Sequence, residues 1–79
     1  MARIIDGERQ NMVGANVRKA RLAAKMSQKQ LADRLETVAV YICRGSISRI
    51  ESGDRTVTDI ELWGLSKILN IPLEKLFEE

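Results

Sequence analysis

The chain has 79 residues, 44% of them hydrophobic and 30% charged, which suits one small soluble domain and leaves no room for a second core. One cysteine and no histidine exclude a disulfide within the chain, a Cys/His zinc site and a histidine-based triad. Net charge is only +2, but residues 1–55 carry eleven Lys/Arg against six Asp/Glu, while residues 56–79 carry two against five.

Residues 1–11 are polar and aperiodic apart from Ile4-Ile5, and read as an amino-terminal arm to a domain spanning 12–79. Ile4-Ile5 either adds a contact to a partner or is disordered. From Asn11 the pattern turns helical: Val13, Val17, Ala20 and Ala24 form one apolar stripe that should end near Lys25. Ser27-Gln-Lys-Gln30 has the form of a capping box and opens a second helix over about 28–36, with Leu31, Ala32 and Leu35 inward.

Thr37–Cys43 is apolar and β-branched, so propensity alone favours a strand. No second such run exists to pair with it, and it is read as a connection that packs its apolar side chains after an extra turn of the second helix. A third helix is expected from Arg44 to Ser52-Gly53, with Gly53 left-handed at its end. Its spacing predicts Cys43, Ile47 and Ile50 inward and Arg44, Gly45, Ser48 and Arg49 on the open face. Thr58-Asp-Ile-Glu61 is a second capping box, starting a fourth helix that buries Leu62, Leu65, Ile68 and Leu69 and ends at Asn70. Pro72 suits the start of a short last helix lined by Leu73, Leu76 and Phe77. The expected architecture is all-α, five short helices around one core.

No uncharged run nears the ~20 residues of a membrane span, and Met1–Asp6 meets charge too soon for a secretory leader. The expected protein is a cytoplasmic non-enzyme without cofactor, metal, membrane or small-molecule ligand. Arg18, Lys19, Arg21, Lys25, Lys29 and Arg34 cluster against the single acid Asp33, which is either a solvated helix surface or a face for a polyanion. Two short helices at a steep angle can present the second to the DNA major groove. Ser27 and Gln28, at a helix start, supply amides and polar groups suited to a phosphate. Arg49 is a candidate reader of guanine, with a phosphate contact as its alternative, Arg44 fits a base or a phosphate equally, and Gly45 and Ser48 keep the face between them low.

Val17-Arg-Lys-Ala-Arg21, Ser27-Gln-Lys-Gln-Leu-Ala32, Gly45-Ser-Ile-Ser-Arg-Ile-Glu-Ser-Gly53 and Leu69-Asn-Ile-Pro-Leu-Glu-Lys-Leu-Phe77 together resemble the repressor/Cro-type (XRE-like) helix-turn-helix regulators of phages and bacteria. The resemblance spans about residues 12–77. It implies a lambda-repressor-like domain and a dimeric, sequence-specific transcriptional regulator of double-stranded DNA. By position it makes Gln28 a phosphate contact that also braces the recognition helix. It puts Arg44, Gly45, Ser48 and Arg49 at the bases, with Ser46 in the same DNA-facing set, and Ser52 and Arg55 in the backbone-contacting loop. It also pairs Arg21 with Glu51 between the first and third helices.

The chain departs from the family pattern in two places. Leu35 and Ile47 enclose eleven residues where the family has about six, a difference that costs little in loop entropy, and Glu36 stands where a turn glycine is usual. A subset of the family, resembled by Tyr41-Ile-Cys-Arg-Gly-Ser-Ile-Ser-Arg-Ile-Glu51, has such a longer connection. Lys25 replaces the glycine that commonly ends the first helix.

One recognition helix reads only a few base pairs, so a homodimer is expected, formed by the acidic end through Trp63, Leu73 and Phe77. Phe77 alternatively caps its own core, and Tyr41 packs on the core or touches the DNA backbone. Cys43 is expected to be a small buried hydrophobe. A different class remains open, an antitoxin-like or co-activator adaptor that works through protein contacts. A modification-system control protein would be a third role, still a DNA binder.

Overall fold

The computed structural model describes residues 9–78, so Ile4 and Ile5 of the arm lie outside the described residues. Four α-helices run in order: α1 (Gly14–Ala23), α2 (Gln28–Glu36), α3 (Arg44–Ser52) and α4 (Asp59–Leu69). The fifth expected helix is a short 3-10 helix, Leu73–Phe77. The architecture is all-helical, and no strand occurs among the described residues. Val13, Val17, Leu31, Leu35, Ile47, Ile50, Leu65 and Leu76 are fully buried at its centre, drawn from every element.

Local signals set most boundaries. Ser27 Oγ accepts from the Gln30 amide at 3.0 Å and Gln30 Oε1 accepts from the Ser27 amide at 2.8 Å, closing the box that starts α2. Thr58 and Glu61 do the same for α4 at 3.2 and 3.0 Å. Gly53 (φ 84°) and Asn70 (φ 56°) take the left-handed positions that end α3 and α4.

Besides Asn70, the chain turns left-handed at two further residues that carry a Cβ. Lys25 (φ 59°) does so after α1, at a cost of about 1 kcal/mol, and directs the Met26 carbonyl back to Arg21. Ala39 (φ 63°) does so after α2. Glu36 remains helical because a further turn follows it, with Thr37, Val38 and Ala39 amides donating to Arg34, Leu35 and Glu36 carbonyls at 3.0, 3.1 and 3.0 Å. The left-handed step thus falls three residues later than the family's usual glycine. Around it, from Val38 to Cys43, the chain alternates: Val38 is half-buried, Val40 and Ile42 are buried, and Ala39, Tyr41 and Cys43 face out. The β-branched run packs as a connection without forming a sheet. Its close partner is Gly64 of α4, where a Cβ would stand 2.8 Å from Val40 Cγ2.

Two expected core positions are corrected. Cys43 is exposed, because it has extended backbone (φ −78°, ψ 163°) and precedes α3, so helical spacing counted from it starts one residue too early. Ile42 is buried in its place. Ala24 is exposed because α1 has already ended at Ala23, and Met26 takes the inward position.

The packed chain reaches back past residue 12. Asn11 is buried, donating through Nδ2 to the carbonyls of Ile50 (3.0 Å) and Arg55 (2.8 Å) and accepting at Oδ1 from Val13 and Gly14 amides (3.0 and 2.7 Å). One side chain therefore caps the start of α1 and the end of α3 together. The approach requires Gly14, where a Cβ would collide with the Ile50 carbonyl oxygen, a backbone atom that cannot step aside. Gly14→Ala should destabilise the fold by about 1–3 kcal/mol through overpacking, despite alanine's better helix propensity. A denaturation midpoint equal to wild type would show that α1 and α3 are not held this closely.

Candidate nucleic-acid interface

The interface is built on α3. Ile47 and Ile50 are buried, which fixes the orientation of the helix and leaves Arg44, Gly45, Ser48 and Arg49 exposed on the opposite side. A Cβ at Gly45 would meet nothing within 4 Å, so the surface there is low and open. Ser46 is half-buried at the edge of this face, accepting from Arg49 Nη2 at 3.3 Å and from the Cys43 thiol at 3.5 Å. The Ser46 hydroxyl and amide hold the Cys43 thiol below its ordinary value. Cys43, at the N-cap of α3, makes no side-chain cap hydrogen bond.

Behind the face, α1 and α2 lock α3 in place. Arg21 Nε and Nη2 donate to the Glu51 carboxylate at 2.7 and 3.0 Å, and Arg21 Nη1 donates to the Met26 carbonyl at 2.8 Å. The two side chains are only 9% and 4% exposed, and the hydrogen bonds that Arg21 donates to Glu51 raise the Arg21 pKa further. Gln28 Nε2 donates to Glu51 Oε1 at 3.1 Å, so the glutamine at the start of α2 braces α3 directly. Arg18, Gln28, Ser48, Glu51 and Ser52 line an open cleft of about 360 Å³ between the helices. The Ser27–Gln30 box leaves the amides of Gln28 and Lys29 as open donors of the first turn of α2.

Ser52 is the last residue of α3, and Arg55 lies in the loop beyond it. Ser52 Oγ lies 3.2 Å from the Arg49 carbonyl and 3.0 Å from Asp54 Oδ2. Arg55 turns onto Glu61, with Nη1 and Nη2 donating to its two carboxylate oxygens at 2.9 Å each. Arg55 thereby holds the Glu61 carboxyl below the usual carboxylate range. This second ion pair, like Asn11, escapes a reading of the sequence. Glu61 already counts as a cap, and only the fold brings the loop arginine to it.

Trp63 (48% exposed), Leu73 (45%) and Phe77 (38%) all show surface on the acidic end. Ile60 and Trp63 share an outward stripe of α4, and Lys67 Nζ sits 6.0 Å from the centroid of the Trp63 ring. Phe77 also lines an apolar cleft with Val13, Val57 and Leu62. Tyr41 points to solvent, 75% exposed.

A short helix carrying two arginines outward, braced from behind by an ion pair and by the first residue of the preceding helix, defines a helix-turn-helix DNA-binding protein. The model of the helix-turn-helix family matches residues 17–76, and the chain belongs to that family. Among solved structures it is similar to the restriction-modification controller protein C.AhdI from Aeromonas hydrophila. The two share 27% identity with a TM-score of 0.73, over 84% of this chain and 92% of that one. No protein of curated function matches. The chain is a DNA-binding transcriptional regulator of the repressor/Cro type. No helix among the described residues is long and apolar enough to cross a membrane.

Proposed function

We propose that the protein acts in the cytoplasm as a homodimeric repressor on a palindromic operator, placing one α3 in the major groove of each half-site. The observation that carries this reading is the exposed face of α3, set on a buried Ile47–Ile50 seam and held by Arg21, Glu51 and Gln28. In this reading Arg49 reads a base edge, and Arg44, Gly45, Ser46 and Ser48 complete the surface that enters the groove. Ser27 and Gln28 receive a phosphate at the amino end of α2, where amides and dipole both favour an anion. Ser52 follows the backbone at the carboxyl end of α3, and Arg55, its charge balanced by Glu61, offers its remaining N–H donors to the phosphate beside it.

Dimerisation doubles a short readout, with half-sites about one helical turn, ~34 Å, apart. Trp63, Leu73 and Phe77 are the exposed apolar groups best suited to the contact, and an aromatic anchor is what a small interface needs at its centre. Sedimentation of wild type and Trp63→Ala with half-site and full-site duplexes tests this. Two copies per full site are expected, bound cooperatively, with cooperativity weakened in Trp63→Ala. One copy bound to one half-site, without cooperativity on the full site, would refute the dimer.

The likeness to a restriction-modification controller protein favours a second, narrower reading, in which the controlled genes encode such a pair of enzymes. Operator sequences recovered from bound DNA and located upstream of such genes would support it. Stable capture of an unrelated protein, together with weak and unselective DNA binding, would instead favour an adaptor.

A further inference from the structure

We propose that Ser46 is the positioning residue for Arg49: it holds the arginine's guanidinium over the amino-terminal half of α3 and so sets selectivity at the base pair that Arg49 reads. This rests on the DNA-binding reading above. Side chains of an α-helix lean toward its amino end, so residues three apart meet on one face. Arg49 lies three residues after Ser46, and its Nη2 donates to Ser46 Oγ at 3.3 Å.

Ser46 is suited to this as its neighbours are not. It is half-buried, whereas Arg44, Gly45, Ser48 and Arg49 are exposed. Its hydroxyl is also held from the other side, by the Cys43 thiol at 3.5 Å, just outside the first turn. The guanidinium is therefore drawn toward the start of the helix, the part of a recognition helix that reaches base edges. Gly45 keeps the space there open, with nothing within 4 Å of where its Cβ would be.

The hydrogen bond to Ser46 does not compete with base reading. A guanidinium carries five N–H donors, so one given to Ser46 leaves a bidentate pair for a guanine edge. An arginine already ordered loses less rotamer freedom on binding than one that is free. That gain depends on reaching the correct base, because a wrong base wastes the fixed geometry.

The test compares wild type, Ser46→Ala, Ser46→Thr, Arg49→Ala and the double alanine variant. Each is used to select from a random duplex pool, and each is titrated against its best site and an unrelated duplex at one salt concentration. Alanine favours the helix, so the Ser46→Ala variant keeps the fold. Ser46→Ala should flatten the preference at the same half-site position that Arg49→Ala flattens, and weaken binding to the best site about two- to tenfold. Binding to the unrelated duplex should fall less than binding to the best site, so that the ratio between the two shrinks. Ser46→Thr, which keeps the hydroxyl, should retain the wild-type preference, and the double variant should be no worse than Arg49→Ala. Selectivity lost in Arg49→Ala but intact in Ser46→Ala would overturn this proposal alone, as would fully additive effects. A wild type with no sequence preference would overturn the regulator reading together with it.

Discussion

Arg21→Ala and Glu51→Ala are each expected to lower folding stability by ~3–5 kcal/mol, the largest effect of any single substitution considered. The magnitude follows from burial. With the side chains 9% and 4% exposed, removing one partner leaves the other charge largely buried and without its counter-charge. Arg21→Ala leaves Glu51 with only the Gln28 amide at 3.1 Å. Glu51→Ala leaves Arg21 with only the Met26 carbonyl at 2.8 Å. Because each single variant already breaks the pair, the double alanine variant should lose much less than the sum of the two. Denaturant unfolding of all four proteins measures that coupling, and a coupling near zero would mean the pair does not hold α3. The loss should also extend to DNA binding, since Glu51 is the point where α1, α2 and α3 are joined.

Arg49→Ala should cost about 1–3 kcal/mol of binding on the preferred site and relax selection at one position of each half-site. The fold should be untouched, because Arg49 is exposed and, among the described residues, its side chain bonds only to Ser46. Lys19 and Lys29 are the controls. Both are exposed, and Lys29 is paired loosely with Asp33 at 3.1 Å on the surface. If either touches DNA it touches phosphate, so its alanine variant should weaken all duplexes alike and reduce the salt dependence by about one counterion. Competition titrations over a range of salt separate these outcomes. An Arg49→Ala protein with unchanged site preference would remove Arg49 from base reading.

Features with a local cause were legible in the sequence. The capping boxes at Ser27 and Thr58 depend on residues three apart, and the left-handed ends at Gly53 and Asn70 depend on one residue each. Ile47 and Ile50 followed from helical spacing, and the open face of α3 followed from them. The Arg21–Glu51 pair came from the family resemblance, since nothing local links residues thirty apart.

Features with a tertiary cause were not legible. The burial of Asn11 depends on the end of α3 arriving beside the start of α1, which no pattern within residues 9–16 announces. Arg55 turns to Glu61 because the loop folds back onto the amino end of α4. Cys43 faces out because its backbone is still extended, where helical spacing does not hold. The connection was read correctly as packed and sheetless, but its left-handed step at Ala39 has no sequence signal, since alanine does not favour that conformation.

The face of α3 is expected to read a symmetric DNA sequence, and selection of bound duplexes from a random pool, using the full chain, tests this most directly. An enriched palindrome is expected, with guanine at a fixed place in each half and half-site centres about one helical turn apart. A bound pool with no enriched sequence, or one asymmetric half-site with no spaced copy, would contradict it.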